Sequence, residues 1–249
     1  MAGRMGYSDV MAELKSMADP EAAKGMAYFG VRAKAPLGIS MPQLRALARK
    51  AGKDHALAAR LWASGVHEAR ILAGLVDEPG KVTEAQLDAW VRDLDSWDVC
   101  DGVCFNLFDK TPWAYEKAVE WAAREEEYVR RAGFAMMAGL ALHDKGAPDA
   151  RFEAFLPVIE RHAGDDRNFV KKAVNWALRQ VGKRDAALNR AAIASGERIR
   201  AQGTRAARWV AADALRELRS EAVQARLRAR EGRRAAAKPA KAGRRRGGR

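Results

Sequence analysis

Apolar residues recur along this chain at intervals of three and four, while strict alternation over five or more residues is nearly absent, so the chain reads as helical throughout. A second regularity constrains how those helices are arranged. The segments Glu68–Leu75, Val129–Met136, Val170–Ala177 and Ala207–Ala214 each carry polar or basic residues, then a small residue, then apolar positions at helical spacing. With a helix beginning at Trp97 filling the gap between the first two, the pattern returns every 30 to 41 residues or so. That is the period of two-helix HEAT-type repeats, in which stacked neighbours bury one continuous core and the second helices line a concave face. An ordinary helical bundle is the alternative for so degenerate a repeat.

Helix start and stop signals divide the chain further. The spacing predicts helices over Tyr7–Met17, from a cap at Asp19 to Arg32, over Leu44–Lys50, Asp54–Ala63, His67–Val76, Thr83–Asp93 and Trp97–Phe108. Later ones cover Pro112–Arg124, Tyr128–His143, Ala150–His162, Phe169–Val181, Asp185–Ala194 and Thr204–Leu218. With 249 residues, 48% of them hydrophobic, the chain can bury a sizeable core. No apolar run reaches the ~18 residues of a membrane span, and Met1–Val10 lacks the hydrophobic stretch of a signal peptide. An intracellular, cytoplasmic and nucleoid-associated protein is expected, acting as a monomer. Cys100 and Cys104, four apart on one helix, read as packing residues, and four scattered histidines suggest no metal site.

The net charge of +13 makes a polyanion the first partner to consider. Its distribution matters more. Arg230–Arg249 holds nine Lys or Arg and one Glu, so removing that +8 leaves about +5 on the first 229 residues. Residues 1–218 are expected to form the repeat domain, and 219–249 a helical extension followed by a disordered basic tail that reads as a nucleic-acid tether, a solubilising or targeting tail being the alternative.

The stretch Ser96-Trp97-Asp98-Val99-Cys100-Asp101-Gly102 carries the chemistry. Trp97 and Asp101, four apart, share one helix face, with Ser96 as N-cap. A first-turn acid beside a core aromatic would produce the same spacing. Neighbouring second helices add Arg130 and Arg131, then Lys171, Lys172, Trp176 and Arg179, where Lys172 and Trp176 repeat the spacing of four. Cations and indoles suit phosphates and sugars. A carboxylate among them repels DNA, so it implies a positive charge developing beside it. Trp62, Trp90, Trp113, Trp121 and Trp209 read as core or inter-repeat aromatics, and His55, His67, His143 and His162 as surface or capping residues.

At Pro36-Leu37-Gly38-Ile39-Ser40, Pro42-Gln43-Leu44-Arg45, Ser96-Trp97-Asp98-Val99-Cys100-Asp101, Arg130-Arg131-Ala132 and Lys172–Arg179, the chain resembles the AlkD family of HEAT-like-repeat DNA glycosylases. The resemblance covers approximately residues 10 to 220. It implies an all-α, right-handed-type, C-shaped solenoid whose basic concave face grips duplex DNA and excises cationic alkylated purines without extruding the base, with no cofactor. Asp101 would stand in for the catalytic aspartate, Trp97 and Trp176 for the sugar-contacting tryptophans, and Arg131 for the backbone-binding arginine. Phe29 stands where a tyrosine can occur in the family, which implies a DNA-contacting position there without the phenolic hydroxyl. The chemistry fits independently: an alkylated purine is a pre-activated leaving group, and an ionised Asp101, favoured by Arg131, would stabilise the oxocarbenium ion and orient water. Two rivals use the same features, a catalytically silent DNA-binding solenoid and a protein-binding helical scaffold.

Overall fold

A computed structural model describes residues 5–31, 33 and 36–237. Among them every regular element is a helix: α1 (Tyr7–Ser16), α2 (Pro20–Met26), α3 (Met41–Ala51), α4 (His55–Ala63), α5 (His67–Val76), α6 (Glu84–Arg92), α7 (Trp97–Asn106), α8 (Ala114–Ala122), α9 (Glu127–His143), α10 (Asp149–Glu153), α11 (Phe155–His162), α12 (Asn168–Gly182), α13 (Ala186–Ala201), α14 (Arg205–Leu218) and α15 (Glu221–Ala237). None is long and apolar enough to cross a membrane.

The packing follows chain order. α3 packs on α5, α5 on α7, α7 on α9, α9 on α12, and α12 on α14. A second layer lies behind, with α4 on α5, α8 on α9, and α13 on both α12 and α14. This is the layering of a repeat solenoid, in which each unit buries its apolar stripe against the next. One cluster of buried side chains runs from Val10 to Leu218, and each fully buried Leu or Phe in it contributes about 1.5–3 kcal/mol. Two details show how tightly the layers meet. Trp62 and Trp90 stack with centroids 4.1 Å apart. A Cβ on Gly133 would come within 2.3 Å of the Ala122 backbone nitrogen, so only glycine lets α8 and α9 approach so closely.

Four sequence expectations need correction. Ala150–His162 is two helices, because Pro157 cannot donate to the Glu153 carbonyl and its ring crowds that carbonyl; the break falls at Ala154. The helix expected to end at Ala194 runs to Ala201, since Ala192, Ser195, Gly196 and Ile199 continue its buried stripe. The basic tail begins later than expected. Residues 230–237 belong to α15, which docks on α13 and α14 through buried Val223 and Leu227. Arg230 Nη1 then donates to the Lys183 and Arg184 carbonyls beyond the end of α12, 3.0 and 2.9 Å away. The second helix, expected to reach Arg32, ends earlier: α2 stops at Met26, and the 3-10 turn Ala27–Phe29 that follows is closed by Gly30 in the left-handed region at φ 80°. Arg32 itself and the rest of the tail lie outside the described residues.

Candidate active site

The α7 helix starts at Trp97 with Ser96 as its N-cap, but the Ser96 hydroxyl donates to the Asp98 carboxylate and accepts no backbone N–H of the helix. The Asp98 Oδ2 meets Nε2 of buried His67 at 2.8 Å. Burial pushes the Asp98 carboxyl up, yet the hydrogen bonds and charge of His67 carry it below its ordinary value; His67 rises correspondingly against its own desolvation. Asp98 is thus the first-turn acid. Asp101, a turn further on, is left for other work.

Asp101 is gripped by Arg131 of α9. Arg131 Nε donates to Oδ1 at 3.0 Å and Nη2 to Oδ2 at 2.7 Å, a bidentate pair, while Nη1 donates to the Phe169 carbonyl at 2.7 Å. The Arg131 side chain is only 6% exposed and that of Asp101 21%. Burial raises the Asp101 carboxyl above its ordinary value, and the Arg131 guanidinium pulls the other way without cancelling it. The expectation that Arg131 lowers the carboxyl therefore holds for the pair itself but not for the sum. Because the bidentate guanidinium keeps its proton, the carboxylate retains a strong partner for its ionised form.

Trp97 and Trp176 face a common cleft of about 530 Å³ with Asp101, Phe105, Arg45 and Lys110. Trp97 Nε1 donates to the Phe29 carbonyl at 3.0 Å, which fixes the indole, and its ring lies 6.0 Å from the Arg131 guanidinium. Trp176 stacks on Phe105 with centroids 4.7 Å apart and planes 4° from parallel. Phe105 reaches across α9 at Gly139, where an added Cβ would lie 3.5 Å from its ring. Phe29 enters twice: its carbonyl holds Trp97, and its ring is exposed, edge-on to the still more exposed Tyr28.

A second cleft of about 320 Å³ adjoins the first, lined by Asp101, Arg131, Lys172, Trp176, Arg179 and Trp209 among others. Arg179 is tied to Glu217 at 2.6 Å, whereas Lys172 is exposed and has no carboxylate partner among the described residues. Lys171 lies with its ammonium 5.1 Å from the Trp209 ring centroid. Arg130 stands apart from this group. Its guanidinium is buried between Asp165 and Glu125, both at 2.9 Å, so it is spent on the fold.

Four site-lining residues escape a reading of the sequence alone. Arg45 and Lys110 border the first cleft, and so does His143, whose Nδ1 pairs with buried Asp109. His55 likewise pairs with Asp77 and His67 with Asp98; His55 and His143 keep the exposure expected of surface residues, whereas His67 is buried and not the surface residue expected. Trp209, the fourth, is 41% exposed and not a core aromatic. Its position carries a signal: it stands third in its repeat segment, as Arg131 and Lys172 do in theirs. No cluster of His, Cys, Asp or Glu capable of holding a metal occurs among the described residues.

Half burial of Trp176 sets an expectation. Trp176→Ala should cost clearly less than the ~3–5 kcal/mol of a fully buried tryptophan while lowering activity at this cleft by about tenfold or more. Thermal unfolding measured beside activity separates the two, and a melting temperature that falls in proportion to activity would return Trp176 to the core.

Known proteins share both the sequence pattern and the layering. Residues 10–218 match the profile of a family described as DNA alkylation repair enzymes. Among solved structures, the fold is similar to a protein described as one of a new family related to the HEAT-like-repeat DNA glycosylases, with affinity for branched DNA structures. The TM-score is 0.69 at 21% identity, covering 78% of this chain and 83% of that one. No match was found among curated proteins.

Proposed function

The chain belongs to the DNA alkylation repair enzyme family, and from that premise we propose that it hydrolyses the N-glycosidic bond of cationic alkylated purines, of the 3-methyladenine and 7-methylguanine type, in duplex DNA without extruding the base. The observation that carries this reading is the Asp101–Arg131 pair at the seam of two clefts, flanked by Trp97 and Trp176. The C1′–N9 bond breaks with its electron pair leaving on the purine, which neutralises the ring. Positive charge moves to the deoxyribose, where the Asp101 carboxylate stabilises it. Water adds at C1′ and gives up a proton to Asp101 or to solvent. Trp97 and Trp176 offer indole faces to the sugar, and Lys172, Arg45 and Lys110 offer cations to phosphates.

Arg131 acts as a positioning residue here, not as a phosphate ligand: its side chain is only 6% exposed, and it saturates three of its five N–H groups on Asp101 and the Phe169 carbonyl. DNA binding without excision is the second reading, favoured by the same saturation: both Asp101 oxygens already accept from Arg131. Each carboxylate oxygen has a further lone pair, however, so the pair leaves room for water. Release of free 7-methylguanine from methylated duplex by the purified protein tests the proposal, and duplex binding with no base released would establish the second reading.

The position of α15 changes how the tail should be tested. Ending the chain after Leu218 removes Val223, Leu227 and the Arg230 hydrogen bonds, and should lower the melting temperature. Ending it after Ala237 removes six Lys or Arg and no acid, and should spare both the fold and the saturated excision rate. Every phosphate that the shortened chain no longer neutralises flattens the logarithmic salt dependence of DNA binding by about 0.9. A saturated rate that falls with the second truncation would make the tail part of the site.

A further inference from the structure

The smaller cleft contains more than the proposed reaction uses. Asp101 and Arg131 form its edge toward α7, but its opposite wall is Trp209 of α14, and no step of base release engages that side chain. We propose that Trp209, with Lys171 and Lys172, forms a second DNA-contacting subsite that holds a deoxyribose-phosphate unit of the bound duplex beside the reacting nucleotide. The proposal rests on the reading of the chain as acting on duplex DNA.

Three observations point to that occupant. The first is exposure: Trp209 is 41% exposed on a helix whose other large apolar side chains, Val210, Leu215 and Leu218, are buried. An indole left in water offers a broad flat face suited to the C–H face of a sugar. The second is charge. Arg179 is neutralised by Glu217 at 2.6 Å and Asp213 at 3.7 Å, and Arg131 by Asp101, so the internal pairs cancel. What remains is Lys172, exposed and without a carboxylate partner among the described residues, and Lys171, whose ammonium lies over the Trp209 ring. Two cations around one apolar face match one phosphate-sugar-phosphate step of a nucleic-acid strand.

The third is register. Arg131, Lys172 and Trp209 hold the same place in successive repeat segments of α9, α12 and α14, and adjacent helix axes in such packing lie about 8–10 Å apart. The three side chains therefore form a row continuous with Asp101. A strand engaged at Asp101 and following that row reaches Trp209 next.

The test is a titration of undamaged short duplex against the full chain at two salt concentrations, with melting temperatures recorded for every variant. Trp209→Ala should weaken binding about tenfold with an unchanged salt slope, because it removes an apolar sugar contact and no charge. Lys172→Ala should weaken binding and reduce the slope by about 0.9, because it removes one phosphate ligand. Both should melt with the parent protein. Parental affinity for Trp209→Ala overturns the subsite, as does a fall in its melting temperature large enough to account for the weaker binding. The enzymatic reading stands or falls separately: a parent protein that binds duplex and releases no 7-methylguanine refutes excision, while the titration still decides Trp209.

Discussion

Replacing Arg131 by methionine is expected to cost about 3–5 kcal/mol of folding stability and to move the acid limb of base excision to higher pH. Methionine fills much of the volume of arginine but leaves the one-fifth-exposed Asp101 carboxylate without its bidentate partner and the Phe169 carbonyl without its donor. In a chain of this size that cost corresponds to a fall of roughly 10 °C in melting temperature. The pH shift follows from the forces on Asp101. Burial already raises its carboxyl above the ordinary value and Arg131 alone holds it down, so loss of the guanidinium lets desolvation act unopposed. A folded-state value raised above the unfolded one means that the protonated carboxyl stabilises the fold below the unfolded value, and that this contribution is lost as pH rises through the folded value. The variant's deficit in melting temperature should therefore be largest near neutrality and shrink on acidification. Its excision rate should run the opposite way, falling at a higher pH than in the parent as Asp101 takes up its proton. Arg131→Lys, which keeps a charge but loses the fork, should lie between the two. A methionine variant that melts within a degree or two of the parent at neutral pH would show that the pair does not support the fold.

The same pair marks where the sequence is legible and where it is not. Helical spacing locates most helices, because an amphipathic stripe is a local property that survives in a single chain. The repeat predicts that Asp101 and Arg131, thirty residues apart, are neighbours, and they are. It does not separate Arg130 from Arg131. Adjacent residues point about 100° apart on a helix, so one reaches the cleft and the other is enclosed between Asp165 and Glu125, and nothing local distinguishes them. The histidine pairs escape for a related reason. His67 and Asp98, or Asp109 and His143, stand 31 and 34 residues apart, which is one repeat, but apolar positions define the repeat register and polar ones do not. Trp209 escapes because its composition suggests a core while its register points to the cleft. The sign of the shift at Asp101 cannot be read from sequence at all, since desolvation depends on how much of α9 and α12 closes over the carboxylate.

Asp101→Asn is expected to remove most of the excision rate above spontaneous depurination at saturating enzyme. Asparagine keeps the shape and removes the charge. For a carboxylate about 6 Å from the developing oxocarbenium ion in a medium of effective dielectric about 20, the lost attraction is roughly 3 kcal/mol, on the order of a hundredfold in rate. The structure adds two consequences that shape alone would not suggest. Arg131, only 6% exposed, loses a charged bidentate partner, and the amide presents one oxygen and a nitrogen that cannot accept from it. That should cost about 1.5–3 kcal/mol of stability, so rates must be compared well below the variant's melting temperature. The freed guanidinium also leaves a net positive charge beside Lys172 where a neutral pair stood, so binding to undamaged duplex should tighten and its salt slope steepen. A structural acid would behave otherwise, with binding weakening as the helix loosened. Single-turnover release of 7-methylguanine, corrected for the enzyme-free rate, beside thermal unfolding and binding titrations at two salt concentrations, reads all three effects. Base release at the parent rate would remove Asp101 from the chemistry and leave a solenoid that binds DNA without cutting its glycosidic bonds.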